Sequence, residues 1–182
     1  MSSETATAPA AEPKAQLTVK PITWAGVGLG VLLCLLKFGF SGDALVGSIF
    51  VGSLVVIAAT DIERRIIPDV VLVPASLVVL LLNSALHPSI EWIVAAAAAF
   101  VFFFVVHLFS PKGLGMGDVK LAFLIGAGLG WNVVAALIFG TFAAAIYGVV
   151  LVVMRPGAGA KTAFAMGPFL SGAAIVVLFL AR

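Results

Sequence analysis

The chain has 182 residues, of which 63% are hydrophobic and only 10% are charged, and its net charge is +2. A soluble domain is typically about 25% charged, so this composition indicates a membrane protein, and the absence of a basic cluster argues against nucleic-acid binding. The single cysteine excludes an internal disulfide, and the two histidines, His87 and His107, lack the spacing of a zinc protease. We therefore expect no metal site and no cofactor.

The chain opens with a polar segment and continues in seven apolar runs. Residues 1–20 are rich in Ala, Pro, Ser and Thr without apolar periodicity, which predicts a disordered tail. A membrane-spanning helix needs about 20 apolar residues. The candidate runs, of which the fifth is short, are 22–40, 44–60, 70–86, 91–109, 118–130, 133–153 and 164–181.

Only a glycine-rich hinge, Gly128–Asn132, separates the fifth run from the sixth. Six or seven spans fit this pattern, and seven are favoured because residues 118–153 are too long for one ordinary helix. The sequence therefore predicts an all-α, polytopic transmembrane helix bundle formed by residues 21–182.

Basic residues set the expected orientation of this bundle. If the N-terminus is cytoplasmic, most of the basic residues fall on the cytoplasmic side, as the positive-inside rule requires. The opposite side holds Asp43, Glu91 and Arg182. It also holds Lys37, whose side chain could snorkel outward from the first span. The basic residues on the cytoplasmic side are Lys14, Lys20, Arg64, Arg65, Lys112, Lys120, Arg155 and Lys161.

Acidic residues on the cytoplasmic side are the candidates for chemistry. Asp61 directly follows an apolar run, where a carboxylate is costly unless it meets water, a partner or a proton. Asp69 follows Pro68 and precedes the third apolar run, which predicts a helix N-cap. Glu63 stands beside Arg64 and Arg65, which is typical of a surface charge pair that contributes little.

Asp118 opens the fifth run and could also be an N-cap. However, Gly113, Gly115 and Gly117 alternate immediately before it. Such glycines can take left-handed conformations and let another backbone approach closely, which a cap does not need. A site that admits an extended peptide does need this freedom, so Asp118 is a candidate catalytic residue.

Asp61 and Asp118 are predicted to lie at similar depth on one side of the membrane, 57 positions apart in sequence. If helix packing brings them together, they form a dyad of the aspartic-protease kind that shares one proton. The ionised carboxylate would activate water, and the protonated one would donate to the scissile carbonyl. The alternatives are a proton relay in a transporter, or helix caps in a structural membrane component.

Three segments resemble the type IV prepilin peptidases, which are membrane aspartic proteases of the GxGD class. They are "TDIERRIIPDVVLVP" (60–74), "GMGDVKLAFLIGAGLGW" (115–131) and "MGPFLSGA" (166–173). GxGDxKL together with the upstream Asp and Ile-Pro-Asp and the late Gly-Pro-Phe is a specific combination. The resemblance runs with gaps from about residue 44 to the C-terminus.

The resemblance implies that Asp61 and Asp118 are the catalytic pair and that Gly115 and Gly117 shape the approach to Asp118. Lys120 matches the family lysine; it either contacts the substrate or the dyad, or is a boundary charge. The implied substrate is the short basic leader of a prepilin or pseudopilin, cut at the cytoplasmic face of the bacterial inner membrane. Lipid and the prepilin are thus the expected partners, and no oligomeric state is inferred.

Two features depart from the larger members of that family. Those members carry an N-terminal domain with paired CxxC motifs and also methylate the new N-terminus, whereas this sequence has one cysteine. We therefore expect a peptidase without N-methyltransferase activity, resembling the short form that serves Flp-type (tight adherence) pili. In addition, Ala165 and Met166 precede Gly167 where Pro-Phe is usual.

Two other functions fit the sequence less well. A signal-peptide-peptidase-like protease also uses GxGD, but its first aspartate follows a tyrosine, whereas Thr60 precedes Asp61 here and the only tyrosine is Tyr147. The other is a proton-coupled transporter or a non-enzymatic pilus-assembly component. Transporters often show internal repeats and midplane charges, and neither is evident in the sequence, where the acidic pair lies at the inner edge.

Overall fold

The protein is described by a computed structural model that covers residues 21–110, 113–154 and 165–181. These residues form seven α-helices and no strand, which confirms the all-α prediction. Each helix overlaps one predicted run, while the predicted tail, residues 1–20, lies outside the described residues. The helices are α1 (Pro21–Phe38), α2 (Gly42–Arg64), α3 (Asp69–Leu86), α4 (Glu91–Phe109), α5 (Met116–Leu129), α6 (Val133–Met154) and α7 (Gly167–Ala181).

Among the described residues, five helical segments are long and apolar enough to cross a membrane. They are α1 to α4 and the run 116–151, in which a short 3₁₀ turn joins α5 to α6; α7 is a shorter apolar helix. Large apolar side chains are exposed on the outside of these helices, as expected where lipid replaces water. The architecture is that of a polytopic membrane bundle. The exact number of spans and the cytoplasmic N-terminus stay predictions.

Helix α2 extends beyond its apolar run and ends in a tight reversal. Asp61 lies within its last turn, and the helix continues to Arg64. Arg65 adopts the left-handed conformation, with φ 54°, and its N–H donates to the carbonyl oxygen of Asp61 at 2.9 Å. A positive φ is uncommon for a residue with a side chain. This cap turns the chain toward α3 directly after Asp61.

Helix α5 forms the centre of the bundle. Nine of its fourteen residues are buried, and it packs against α3, α4 and α7. A Cβ atom on Gly126 would lie only 2.6 Å from the Cα atom of Ala96, so the backbones of α4 and α5 approach as closely as glycine allows. The start of α5, which carries Asp118, is therefore held at one end of a closely packed helix.

The hinge predicted between the fifth and sixth runs is a break between α5 and α6. Gly130 has φ +57°, which glycine tolerates without strain. The N–H of Trp131 donates to Oε1 of Glu91 at 3.3 Å, and Nδ2 of Asn83 donates to the carbonyl oxygen of Ala127 at 2.8 Å. Side chains from α3 and α4 therefore bind the backbone groups at this break.

Polar contacts also join helix ends at the side opposite Asp61. Nε2 of His87 lies 2.7 Å from Oδ1 of Asp43, which links the end of α3 to the start of α2. The ammonium group of Lys37 donates to the carbonyl oxygen of Phe179, which links α1 to α7. Lys37, which could snorkel outward, is exposed and lies near the C-terminus of α7, where a cation is favourable.

Candidate active site

Asp61 is a buried carboxylate held by the start of α7. Only 6% of the residue is exposed, and its Oδ2 accepts a hydrogen bond from the backbone N–H of Gly167 at 2.9 Å. A Cβ atom at position 167 would lie 2.6 Å from the same oxygen. Glycine is therefore needed at this position so that the main chain can approach the carboxylate.

Asp118 is the third residue of α5, and its carboxylate folds back over the helix start. Its Oδ2 accepts from the backbone N–H of Gly115 at 3.3 Å. Gly115 occupies the N-cap position, with φ −72° and ψ 151°. The arrangement is the acidic half of a capping box. Asp118 is thus not the N-cap residue itself, although it does bind a backbone donor at the start of its helix.

Asp61 and Asp118 lie at the same end of the bundle, where α2 ends and α5 begins. Their carboxylates are close enough for the two charges to interact. Each carboxylate accepts a main-chain N–H at Oδ2. Helix packing therefore brings together the two carboxylates that the sequence singled out.

The glycines before Asp118 do not use the left-handed conformation. Among the described glycines, positive φ angles occur elsewhere in the chain, so that expectation is wrong for Gly113, Gly115 and Gly117. These glycines provide space instead. A Cβ atom on Gly117 would lie 3.0 Å from Cβ of Ile67, and one on Gly115 would lie 3.3 Å from Oδ2 of Asp118. The α2–α3 loop and the carboxylate can therefore pack closely on the start of α5. The role of these glycines in substrate approach stays a prediction.

Lys120 forms an ion pair with Asp69. Its Nζ donates to Oδ2 of Asp69 at 2.7 Å, which joins α5 to the first residue of α3. The N-cap of α3 is Pro68, and no side chain caps it, so the predicted capping role of Asp69 is wrong. Both side chains are partly exposed, and such a pair contributes little to stability.

Gly167 is the residue of the site to which the sequence assigned no role. The segment "MGPFLSGA" stands out in the sequence only for its resemblance to the family. Hydropathy does not show that Gly167 contacts Asp61, which lies 106 positions earlier in the chain. The available signal was a glycine followed by a proline at the start of an apolar run. That pattern marks a helix start with an accessible backbone, but it does not identify the carboxylate bound there.

Comparison with known families identifies the family of this chain. The model of the type IV leader peptidase family matches residues 48–154, which is more than half of the chain. The chain belongs to the type IV leader peptidase family. Asp61 and Asp118 both lie within the matched region, whereas Gly167 lies beyond it.

Individual relatives agree with this assignment. The prepilin leader peptidase/N-methyltransferase of Bacillus subtilis is 32% identical over 117 residues, covering 62% of this chain and 47% of the relative. That of Stutzerimonas stutzeri is 30% identical over 149 residues (78% and 51%), and that of Pseudomonas putida is 28% identical over 167 residues (87% and 58%). The chain thus spans about half the length of the curated relatives it matches. No solved structure matches the chain significantly.

Proposed function

We propose that this chain is a membrane aspartic endopeptidase that removes the short basic leader from prepilins or pseudopilins. The observation that supports the proposal is that Asp61 and Asp118 lie at one end of the bundle, close enough for their charges to interact, in a member of the leader peptidase family. The names of the relatives favour prepilins as the substrate class. Family membership also favours leader cleavage over the two alternatives, a signal-peptide-peptidase-like protease and a transporter or pilus-assembly component.

In the proposed mechanism, the two carboxylates share one proton and titrate as a pair. The ionised carboxylate abstracts a proton from water, and the water oxygen attacks the scissile carbonyl carbon. The protonated carboxylate donates its proton to the carbonyl oxygen. The carboxyl group that took the proton from water then passes it to the nitrogen, the C–N bond breaks and the amine leaves. The other aspartate takes back a proton from a hydroxyl of the tetrahedral intermediate as the new carboxylic acid forms. The N–H groups of Gly167 and Gly115 orient one oxygen of each aspartate, so the pair is arranged before substrate arrives.

Charge distribution supports an active site that faces the cytoplasm of a bacterial inner membrane. Among the basic residues that the structure describes, Arg64, Arg65 and Lys120 lie at the dyad end, and Lys37 lies at the opposite end. Cytoplasmic ends of membrane helices carry an excess of Lys and Arg. A basic leader would reach the dyad from that side.

The test is leader removal from a tagged prepilin in a host without its own prepilin peptidase, followed by gel shift. We expect cleavage by the wild type and none by Asp61→Asn or Asp118→Asn, because asparagine keeps the shape but cannot pass the proton. Asp69→Asn is the matched control, since Asp69 lies on the same side but pairs with Lys120. Cleavage by either dyad variant, or loss in Asp69→Asn with Asp61→Asn active, would contradict the proposal.

The proposed activity is cleavage without methylation. The sequence has one cysteine and hence none of the paired CxxC motifs of the larger family members. Mass spectrometry of the cleaved pilin should show an unmethylated N-terminal amine when this chain is the only peptidase present. A methylated product under those conditions would refute this part of the proposal.

A further inference from the structure

His107 lies in the last turn of α4 and contacts the loop that precedes Asp118. Its Nδ1 is 2.6 Å from the carbonyl oxygen of Leu114. A carbonyl oxygen only accepts hydrogen bonds, so Nδ1 carries the proton and donates. The ring is half-buried and the side chain of Leu114 is 6% exposed, so both partners are packed in place.

The carbonyl of Leu114 and the N–H of Gly115 are two ends of one peptide group, which is planar and rigid. At one end the oxygen accepts from His107, and at the other end the N–H donates to Oδ2 of Asp118. The orientation of the imidazole ring therefore fixes the direction of the N–H that binds the carboxylate. A hydrogen bond to the oxygen also polarises the peptide group and strengthens its N–H as a donor.

We propose that His107 is a positioning residue for leader cleavage. It orients the Leu114–Gly115 peptide group so that the Gly115 N–H holds Asp118 toward Asp61. This inference rests on the proposed function, because it assigns His107 a part in the same reaction. The competing explanation is a structural tie between α4 and the following loop, which would affect stability but not the geometry at Asp118.

Two substitutions separate the donor from the shape of the ring. Asparagine carries its amide nitrogen on Cγ, as histidine carries Nδ1, so His107→Asn keeps a donor near the carbonyl of Leu114. His107→Phe fills a similar volume with no donor. His87→Phe is the matched control, because it makes the same change in the histidine at the opposite end of the bundle.

The orientation of the Leu114–Gly115 peptide group can be followed by NMR without an assay of cleavage. Labelling with ¹³C′-leucine and ¹⁵N-glycine selects the three Leu–Gly peptide bonds of the chain, which end at Gly30, Gly115 and Gly130. The Gly115 resonance is identified by its disappearance in Gly115→Ala. We expect it to shift in His107→Phe, and to stay near its wild-type position in His107→Asn and His87→Phe. An unshifted Gly115 resonance in His107→Phe would overturn the inference.

Kinetics in detergent or vesicles then test the consequence. In His107→Phe we expect kcat for leader cleavage to fall about tenfold with little change in KM, because a small displacement of a catalytic group slows the chemical step. His107→Asn should stay within roughly threefold of the wild type. Equal impairment of the two variants, or an unchanged kcat in His107→Phe, would overturn the inference. A wild type that does not cleave contradicts the proposed function instead, and the Gly115 resonance still reports whether His107 orients the peptide group.

Discussion

Gly167→Ala tests whether the start of α7 holds the catalytic carboxylate. The added Cβ would lie 2.6 Å from Oδ2, 3.2 Å from Cγ and 3.4 Å from Cβ of Asp61. Non-bonded carbon and oxygen atoms require a longer separation, so the carboxylate and the start of α7 must move apart by roughly 1 Å. Such a movement lengthens the 2.9 Å hydrogen bond from the Gly167 N–H beyond useful range.

The expected cost follows from that hydrogen bond. A hydrogen bond to a charged group contributes about 1.5–3 kcal/mol. If this stabilisation is lost from the transition state, each 1.4 kcal/mol lowers the rate about tenfold. We therefore expect kcat for leader cleavage to fall about 10- to 100-fold in Gly167→Ala. The substrate contacts no part of this hydrogen bond in the proposed mechanism, so KM should change less than kcat.

The assay is the initial rate of leader cleavage per folded enzyme, with the folded fraction taken from circular dichroism and thermal unfolding. Gly172→Ala is the matched control, because Gly172 lies in the same helix and a Cβ there meets no atom within 4 Å. It should cleave at the wild-type rate and be as stable or more stable, since alanine favours helix over glycine. Wild-type kcat in a folded Gly167→Ala enzyme would refute the claim that this N–H orients Asp61.

Three further substitutions test contacts between the helices. Gly126→Ala should destabilise the protein by about 1–3 kcal/mol in thermal or detergent unfolding, because its Cβ would press on the backbone of Ala96; unchanged stability would contradict the close approach of α4 and α5. Asn83→Leu should cost about 1 kcal/mol in the same assay by removing the amide that binds the end of α5, and a gain in stability would show that this contact contributes nothing. Lys120→Met should lower stability by less than about 1 kcal/mol and leave cleavage nearly unchanged, as should the control at Asp69. A large fall in cleavage for Lys120→Met alone would instead indicate that the lysine contacts substrate or the dyad.

Hydropathy predicted the helices well because short polar loops with proline or glycine separate the apolar runs. Its error at the end of α2 has a physical cause. Apolar composition marks the part of a helix that faces lipid, whereas the helix itself continues through Asp61 to Arg64 in the more polar boundary region. The sequence therefore placed Asp61 after the apolar run, and the structure places it within the last helical turn.

For the site, the sequence predicted only the depth of the two aspartates along the membrane normal. Charge and hydropathy place Asp61 and Asp118 at one depth on one side, which is why they could be proposed as a pair. They do not encode lateral contacts, so the Gly167 N–H on Asp61 and the pairing of Asp69 with Lys120 could not be derived from spacing. Alternating glycines likewise show only that these positions lack a Cβ atom. The sequence does not show whether glycine is needed there for a left-handed conformation or for close packing.

Both aspartates are bound by main-chain N–H groups, which has a consequence for how this site tolerates change. Substituting the side chains of neighbours such as Met116 or Met166 leaves these donors in place, whereas adding or removing one residue displaces them. A single insertion between Gly115 and Asp118 would move the donor out of reach of its carboxylate, and one between Met166 and Gly167 would shift the start of α7 against Asp61. We therefore expect natural variants of this chain to differ in length in their peripheral loops and to keep the spacing of these two segments.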